Sequence, residues 1–150
     1  MKGFVGGAIL ICCATAAGAC PTSGASDIRT AYDRWLAAYR AHDLDGTMAI
    51  FAPDVVFQFQ GAPDTDWAGL KASYAQEFAS RTSAAWSPQF GSIEVSGDLA
   101  AAFSEWRLMD GGAEKAHNNS VDLFRRDGTC RWHIVRSLNY PLKDGQPHSP

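Results

Sequence analysis

The hydrophobic period of this chain changes lastingly near Ser87, and that change restricts the fold more than any other feature. From Asp27 to Ser80 most apolar residues recur every three or four positions, the period of one helix face. Beyond Ser87 the chain reads as successive strands separated by glycine turns. Helices first and strands afterwards give an α+β class, with the helices on one side of a mainly antiparallel sheet.

Asp27 reads as the N-cap of a helix carrying Ile28, Ala31, Tyr32, Trp35, Leu36 and Tyr39 on one face. His42-Asp43-Leu44-Asp45-Gly46 breaks and restarts the pattern. Asp43 is expected to cap a shorter helix that buries Leu44, Met48, Ile50 and Phe51, with Pro53 as its stop. Val55 to Gln60 is β-branched and aromatic, a strand ending at Gly61-Ala62-Pro63. Leu70, Tyr74, Glu77 and Phe78 place a third helix running to Ser80. The strands expected next are Phe90 to Val95, Leu99 to Leu108, His117 to Arg125 and Arg131 to Asn139. Gly97-Asp98, Gly111-Gly112 and Asp127-Gly128 supply the turns.

At 150 residues with 46% hydrophobic content the chain has material for one core, so one domain is expected. Lys2 followed by an uncharged run from Phe4 to Ala14, and then Ala17-Gly18-Ala19, reads as a secretory signal over residues 1–19. Residues 20–27 form a short leader, 28–141 the domain and 142–150 a tail. Ala17-Gly18-Ala19-Cys20 also resembles a lipobox, so two routes stand: free export to the periplasm or medium, or export with lipid on Cys20. Only that lipid would tie the chain to a membrane.

Removing the signal takes Cys12 and Cys13 and leaves Cys20 and Cys130, which are free to pair but not forced to. It also takes Lys2, leaving 12 basic against 16 acidic residues, a net charge of −4. That sign disfavours nucleic acid and anionic membranes. The mature chain has no glycine-rich phosphate loop, no His-x-x-x-His pair, no Gly-x-Ser-x-Gly elbow and no Cys-x-x-Cys. Metal ions and nucleotide cofactors are therefore not expected.

The run Trp35-Leu36-Ala37-Ala38-Tyr39-Arg40-Ala41-His42-Asp43-Leu44-Asp45-Gly46 is followed by Ile50-Phe51-Ala52-Pro53-Asp54-Val55-Val56-Phe57, then by Gly69 opening a helix. Together with Val121-Asp122-Leu123-Phe124-Arg125-Arg126-Asp127-Gly128, Trp132-His133-Ile134-Val135 and Pro141, it resembles the nuclear transport factor 2-like superfamily in its SnoaL-like and ketosteroid-isomerase-like branch. The resemblance spans nearly all of residues 28 to 141. It implies a cone-shaped, cystatin-like fold: a strongly curved, mixed but mainly antiparallel sheet packed on three N-terminal helices, with a ligand-binding mouth. Fold alone does not name a reaction, since one scaffold hosts many.

Ketosteroid isomerases use a tyrosine on helix 1, an aspartate base on the first strand and an aspartate on a later strand. By ungapped comparison the first two positions fall on Trp35 and Phe59, which cannot perform those roles. The third falls on Asp122, between Val121 and Leu123, where burial would raise its pKa and let a neutral acid donate to a ligand carbonyl. The bland alternative is an exposed strand aspartate beside Arg125 or Arg136. Whether the Asp127-Gly128 turn is tight or longer, period-two counting keeps His133 on Asp122's side, so His133–Asp122 is the acid/base pair the sequence offers, against the alternative that a lone strand histidine is more often a surface residue. Tyr32, Trp35, Tyr39, Phe57, Phe59, Tyr74 and Trp106 are the candidate pocket walls, though core aromatics have the same composition.

Three functions follow as expectations. One is an isomerase, cyclase or lyase acting without cofactor on a small apolar carbonyl compound, with Asp122 as acid and His133 as base. Another is a ligand-binding protein without catalysis. The last is an assembly module that forms a homodimer through the outer sheet face.

Overall fold

The elements follow in the order helix, helix, strand, helix and four strands. They are α1 (Ala25–Arg40), α2 (Leu44–Met48), β1 (Phe51–Phe59), α3 (Trp67–Ala79), β2 (Ala85–Ser96), β3 (Leu99–Asp110), β4 (Ala113–Arg126) and β5 (Trp132–Pro141). This computed structural model describes residue 20, residues 24–80 and residues 84–142. The expected signal at 1–19 and most of the expected tail lie outside the described residues.

α1 begins three residues earlier than its polar pattern indicates, with Gly24 at the N-cap and no side-chain cap. Asp27 stands instead in the first turn, where its charge complements the helix dipole. Asp43 does cap α2: its Oδ1 accepts from Gly46 N at 3.0 Å. Gly46 is required there, because a Cβ would meet the Asp43 carboxylate and lie 2.9 Å from Ala38 Cβ. The unread cap of α3 is Asp66, which accepts from Gly69 N at 2.8 Å.

Pro53 does not stop α2, which already ends at Met48; it lies inside β1. The reason is position in the sheet. The strand order is β1-β5-β4-β3-β2, so β1 is an edge strand, where a missing N–H need leave no ladder bond unmade. β1 runs parallel to β5, and its register shifts between Phe51 and Val56, the stretch that holds Pro53. The other neighbours pair antiparallel. Gly111 and Gly112, with φ of 56° and 81°, close the β3–β4 hairpin in the doubly left-handed conformation such turns need.

Further register shifts interrupt β2/β3, β3/β4 and β4/β5, and each bulge bends its strand. The sheet therefore wraps α1. One α1 residue, Tyr32, meets Phe90 of β2, Trp106 of β3 and Phe124 of β4, with ring centroids at 4.8, 5.8 and 5.5 Å. The core joins Ile28, Tyr32, Trp35, Leu36 and Tyr39 of α1 to Ala100, Ala102, Phe124, Trp132 and Ile134 on the inner sheet face. The outer face keeps Leu99, Phe103, Leu123 and Tyr140 exposed.

Cys20 and Cys130 form a disulfide across 110 residues, with Cα atoms 5.5 Å apart. It ties the start of the domain to the β4–β5 loop. Asp127 organises that loop, its Oδ1 accepting from Thr129 N at 2.8 Å and Arg131 N at 3.0 Å. These bonds hold its carboxyl well below the usual carboxylate range.

Candidate functional site

Alternation along β3, β4 and β5 sends one residue in two toward α1, and near one end of the sheet those residues are polar. Ser104 on β3, Asn118, Ser120 and Asp122 on β4, and Ser137 on β5 are all buried. Ser104 pairs with Ser120, and Asp122 with Ser137, so they form a patch across three strands. Buried polar groups cost stability unless hydrogen-bonded, so a polar patch inside an aromatic core needs partners.

Most of them are found locally. Trp106 Nε1 donates to Ser104 Oγ at 2.8 Å. The Tyr32 hydroxyl donates to Asp122 Oδ2 at 2.6 Å, and Ser120 Oγ donates to the same oxygen at 3.0 Å. Asn139 Nδ2 donates to Ser137 Oγ at 3.0 Å. Two buried atoms are left without a hydrogen-bond partner among the described residues: Asp122 Oδ1 and Trp35 Nε1.

Asp122 is 3% exposed, which removes the reading of a solvated surface aspartate. Burial holds its carboxyl above the usual carboxylate range, and the hydroxyls of Ser137, Tyr32 and Ser120 recover only part of that shift. Burial, reinforced by the neighbouring carboxyl, likewise pushes the Tyr32 phenol up, so it stays a donor. Two hydroxyls donate to Oδ2. A neutral Asp122 then carries its proton on Oδ1, which has no hydrogen-bond partner among the described residues.

Asp122 borders a cavity of about 250 Å³ between α1, α3 and the sheet. Of the expected walls, Tyr32, Trp35, Phe57, Phe59, Tyr74 and Trp106 line it. Tyr39 does not; it packs behind them, stacked on Trp35 at 5.3 Å. Lining residues that sequence reasoning missed include Glu77, Ser120, Ser137 and Trp86. Period two in β4 and β5 could have found the serines. Glu77 was read only as part of a helical face.

The expected His133–Asp122 pair is not formed, and the correction has a geometric cause. Leu123 pairs with Arg136 but Phe124 pairs with Ile134, so Val135 is the extra residue of a bulge. The bulge reverses the parity of β5, turning Trp132 and Ile134 inward with Ser137 and sending His133 to the other side. There His133 Nε2 lies 3.0 Å from Asp127 Oδ2, and Nδ1 lies 3.2 Å from the Ala49 carbonyl. Its place is in the loop architecture.

Among the described residues no group of three His, Cys, Asp or Glu side chains is placed to hold a metal ion. Asp122, Tyr32 and neighbouring groups offer this cavity hydrogen bonding and proton transfer.

The SnoaL-like domain family matches residues 32–133 of the chain. No curated protein matches it. Several solved structures share the fold at low identity. A conserved protein from Planctomyces limnophilus is 24% identical with a TM-score of 0.69, covering 79% of this chain and 95% of its own. An NTF2-like protein with a cystatin-like fold from Novosphingobium aromaticivorans is 19% identical with a TM-score of 0.71, covering 81% and 83%. A ketosteroid isomerase-like protein from Erwinia carotovora atroseptica is 20% identical with a TM-score of 0.63, covering 79% and 95%.

Proposed function

The chain belongs to the SnoaL-like domain family, and from that premise we propose that it binds a small, largely apolar carbonyl compound and polarises its oxygen through Asp122. One observation carries the reading: Asp122 Oδ1 is buried beside a cavity without a hydrogen-bond partner among the described residues, while Tyr32 and Ser120 donate to Oδ2. A neutral carboxyl so arranged donates to a ligand oxygen and stabilises negative charge that develops there. The cavity is somewhat smaller than the roughly 300 Å³ at which drug-sized sites begin, which favours a compact ligand. Enolisation, isomerisation or cyclisation next to the carbonyl is the reaction class in view, with no cofactor.

The test uses 4-nitrophenol, whose oxygen becomes an anion visible by absorbance. Wild-type protein is expected to bind it and to hold part of it as the phenolate below the pH at which it ionises in water. Asp122→Asn offers a weaker donor and should bind about tenfold less tightly. Binding that ignores this substitution would remove Asp122 from the site.

The same proposal includes free export and a homodimer. Structural disulfides persist in oxidising compartments, and the Cys20 sulfur, being bonded to Cys130, is not available to carry lipid. Leu99, Phe103 and Leu123 give the outer sheet face an apolar row suited to a second copy.

A further inference from the structure

The cavity has two carboxylates among its described lining residues, and the second is Glu77 on α3. No lysine, arginine or histidine is present in that described lining. Glu77 is held from behind by a tyrosine: the Tyr39 hydroxyl, on buried α1 surface, donates to Glu77 Oε1. Trp86 of β2 in turn hydrogen-bonds to Tyr39. An indole N–H can only donate, so it occupies the phenol oxygen and leaves the phenol O–H directed at the carboxylate.

This support is one-sided. Tyr39 engages Oε1 and orients the group, while Glu77 itself is half-buried at the cavity wall. Tyr74, another wall residue, lies within electrostatic range of both Glu77 and Asp122, which places the two carboxyl groups around one space. Their surroundings differ in kind. Asp122 is enclosed among hydroxyls and burial favours its neutral form, whereas Glu77 is half-buried with a tyrosine donor. Two carboxyl groups in such different surroundings on one cavity are suited to acid and base roles.

We propose that Glu77 is the base of this cavity, removing a proton from the carbon next to the carbonyl that Asp122 holds. The inference rests on the reading of Asp122 given above. In the step, the C–H bond breaks and an O–H bond forms on Glu77. The electron pair moves into the C–C bond as the carbonyl π pair shifts to oxygen, giving an enolate that accepts a hydrogen bond from Asp122 Oδ1. The proton then returns to the same carbon, or to the far end of a conjugated system, so no oxidant or second substrate is consumed. Tyr39 is a positioning residue for Glu77.

The experiment is exchange of the α-protons of 2-tetralone in D2O, followed by NMR, with 4-nitrophenol binding measured on the same proteins. Wild type is expected to accelerate exchange. Glu77→Gln should lose about a hundredfold or more of that acceleration while still binding 4-nitrophenol, which also shows that the variant is folded. Tyr39→Phe leaves Oε1 without the donor that orients it, so the exchange rate at saturating 2-tetralone should fall with little change in the half-saturating concentration. Exchange in Glu77→Gln within twofold of wild type, or no acceleration by a wild type that binds 4-nitrophenol through Asp122, would overturn the role of Glu77 alone. Absence of Asp122-dependent binding would overturn the underlying reading as well.

Discussion

Tyr32→Phe removes one oxygen and little else, which makes it the sharpest probe of the buried carboxyl. The ring is 2% exposed, and its contacts with Phe90, Trp106 and Phe124 survive in phenylalanine. What is lost is the 2.6 Å donation to Asp122 Oδ2, together with the hydrogen bond that the phenol oxygen takes from Ser104 and that does not depend on the charge of Asp122. To a neutral carboxyl such a bond is worth about 1 kcal/mol net, and to an ionised one about 1.5–3 kcal/mol. The folded pKa of Asp122 is raised by burial, so the native state binds more protons than the unfolded chain between the two values. Stability from this group is then fully present below the unfolded pKa and is lost as pH rises through the folded one. Each unit of separation corresponds to about 1.4 kcal/mol. Removing a donor to the ionised form raises the folded pKa further, so the cost of Tyr32→Phe should grow from about 1 kcal/mol in weak acid toward about 2–3 kcal/mol in alkali. Urea unfolding followed by tryptophan fluorescence across this range measures it. In an Asp122→Asn background the pH dependence should vanish. An equal cost at both ends of the range in the native Asp122 protein, or a pH dependence that survives the asparagine, would refute the argument.

Cys130→Ser opens a loop of 110 residues and should lower stability by about 2–5 kcal/mol, read as a reduced Tm; an unchanged Tm would mean that the bond does not constrain the unfolded chain. On the outer face, Leu123→Lys puts a charge in the apolar row and should shift a dimer toward monomer in light scattering at fixed concentration. A wild type that is monomeric at high concentration would remove the dimer.

Where the period was clean, the sequence was sufficient. Ile28, Tyr32, Trp35, Leu36 and Tyr39 predicted the buried face of α1, and the glycine pairs placed the β2–β3 and β3–β4 turns. Element boundaries failed where polar signals had two uses. Asp27 suits a cap and equally a first turn, and Pro53 stops a helix but also fits an edge strand, a choice settled by strand order that no local pattern contains.

Composition pointed to the aromatic walls, and the resemblance pointed to Asp122 with an exposed position left open; six of the seven expected walls line the cavity and Asp122 is buried beside it. The hydrogen bonding of the site was not legible in the sequence. Ungapped comparison carried the helix 1 tyrosine role to Trp35, yet Tyr32, one turn earlier on the same helix face, reaches Asp122. Glu77 was hidden because a carboxylate on an amphipathic helix is ordinarily solvent-facing.

The bulge at Val135 gives β5 something like a reading frame. Ahead of it the inward letters are Trp132 and Ile134, and after it Ser137 and Asn139, an apolar word followed by a polar one on a single floor. Flattening the bulge with Val135 retained would restore unbroken alternation through 137, 135 and 133 and exchange the letters at one end, bringing His133 inside and expelling Trp132 and Ile134. Deleting Val135 would instead leave every letter on its present face, so a single supernumerary residue is what keeps an ionisable ring off this floor.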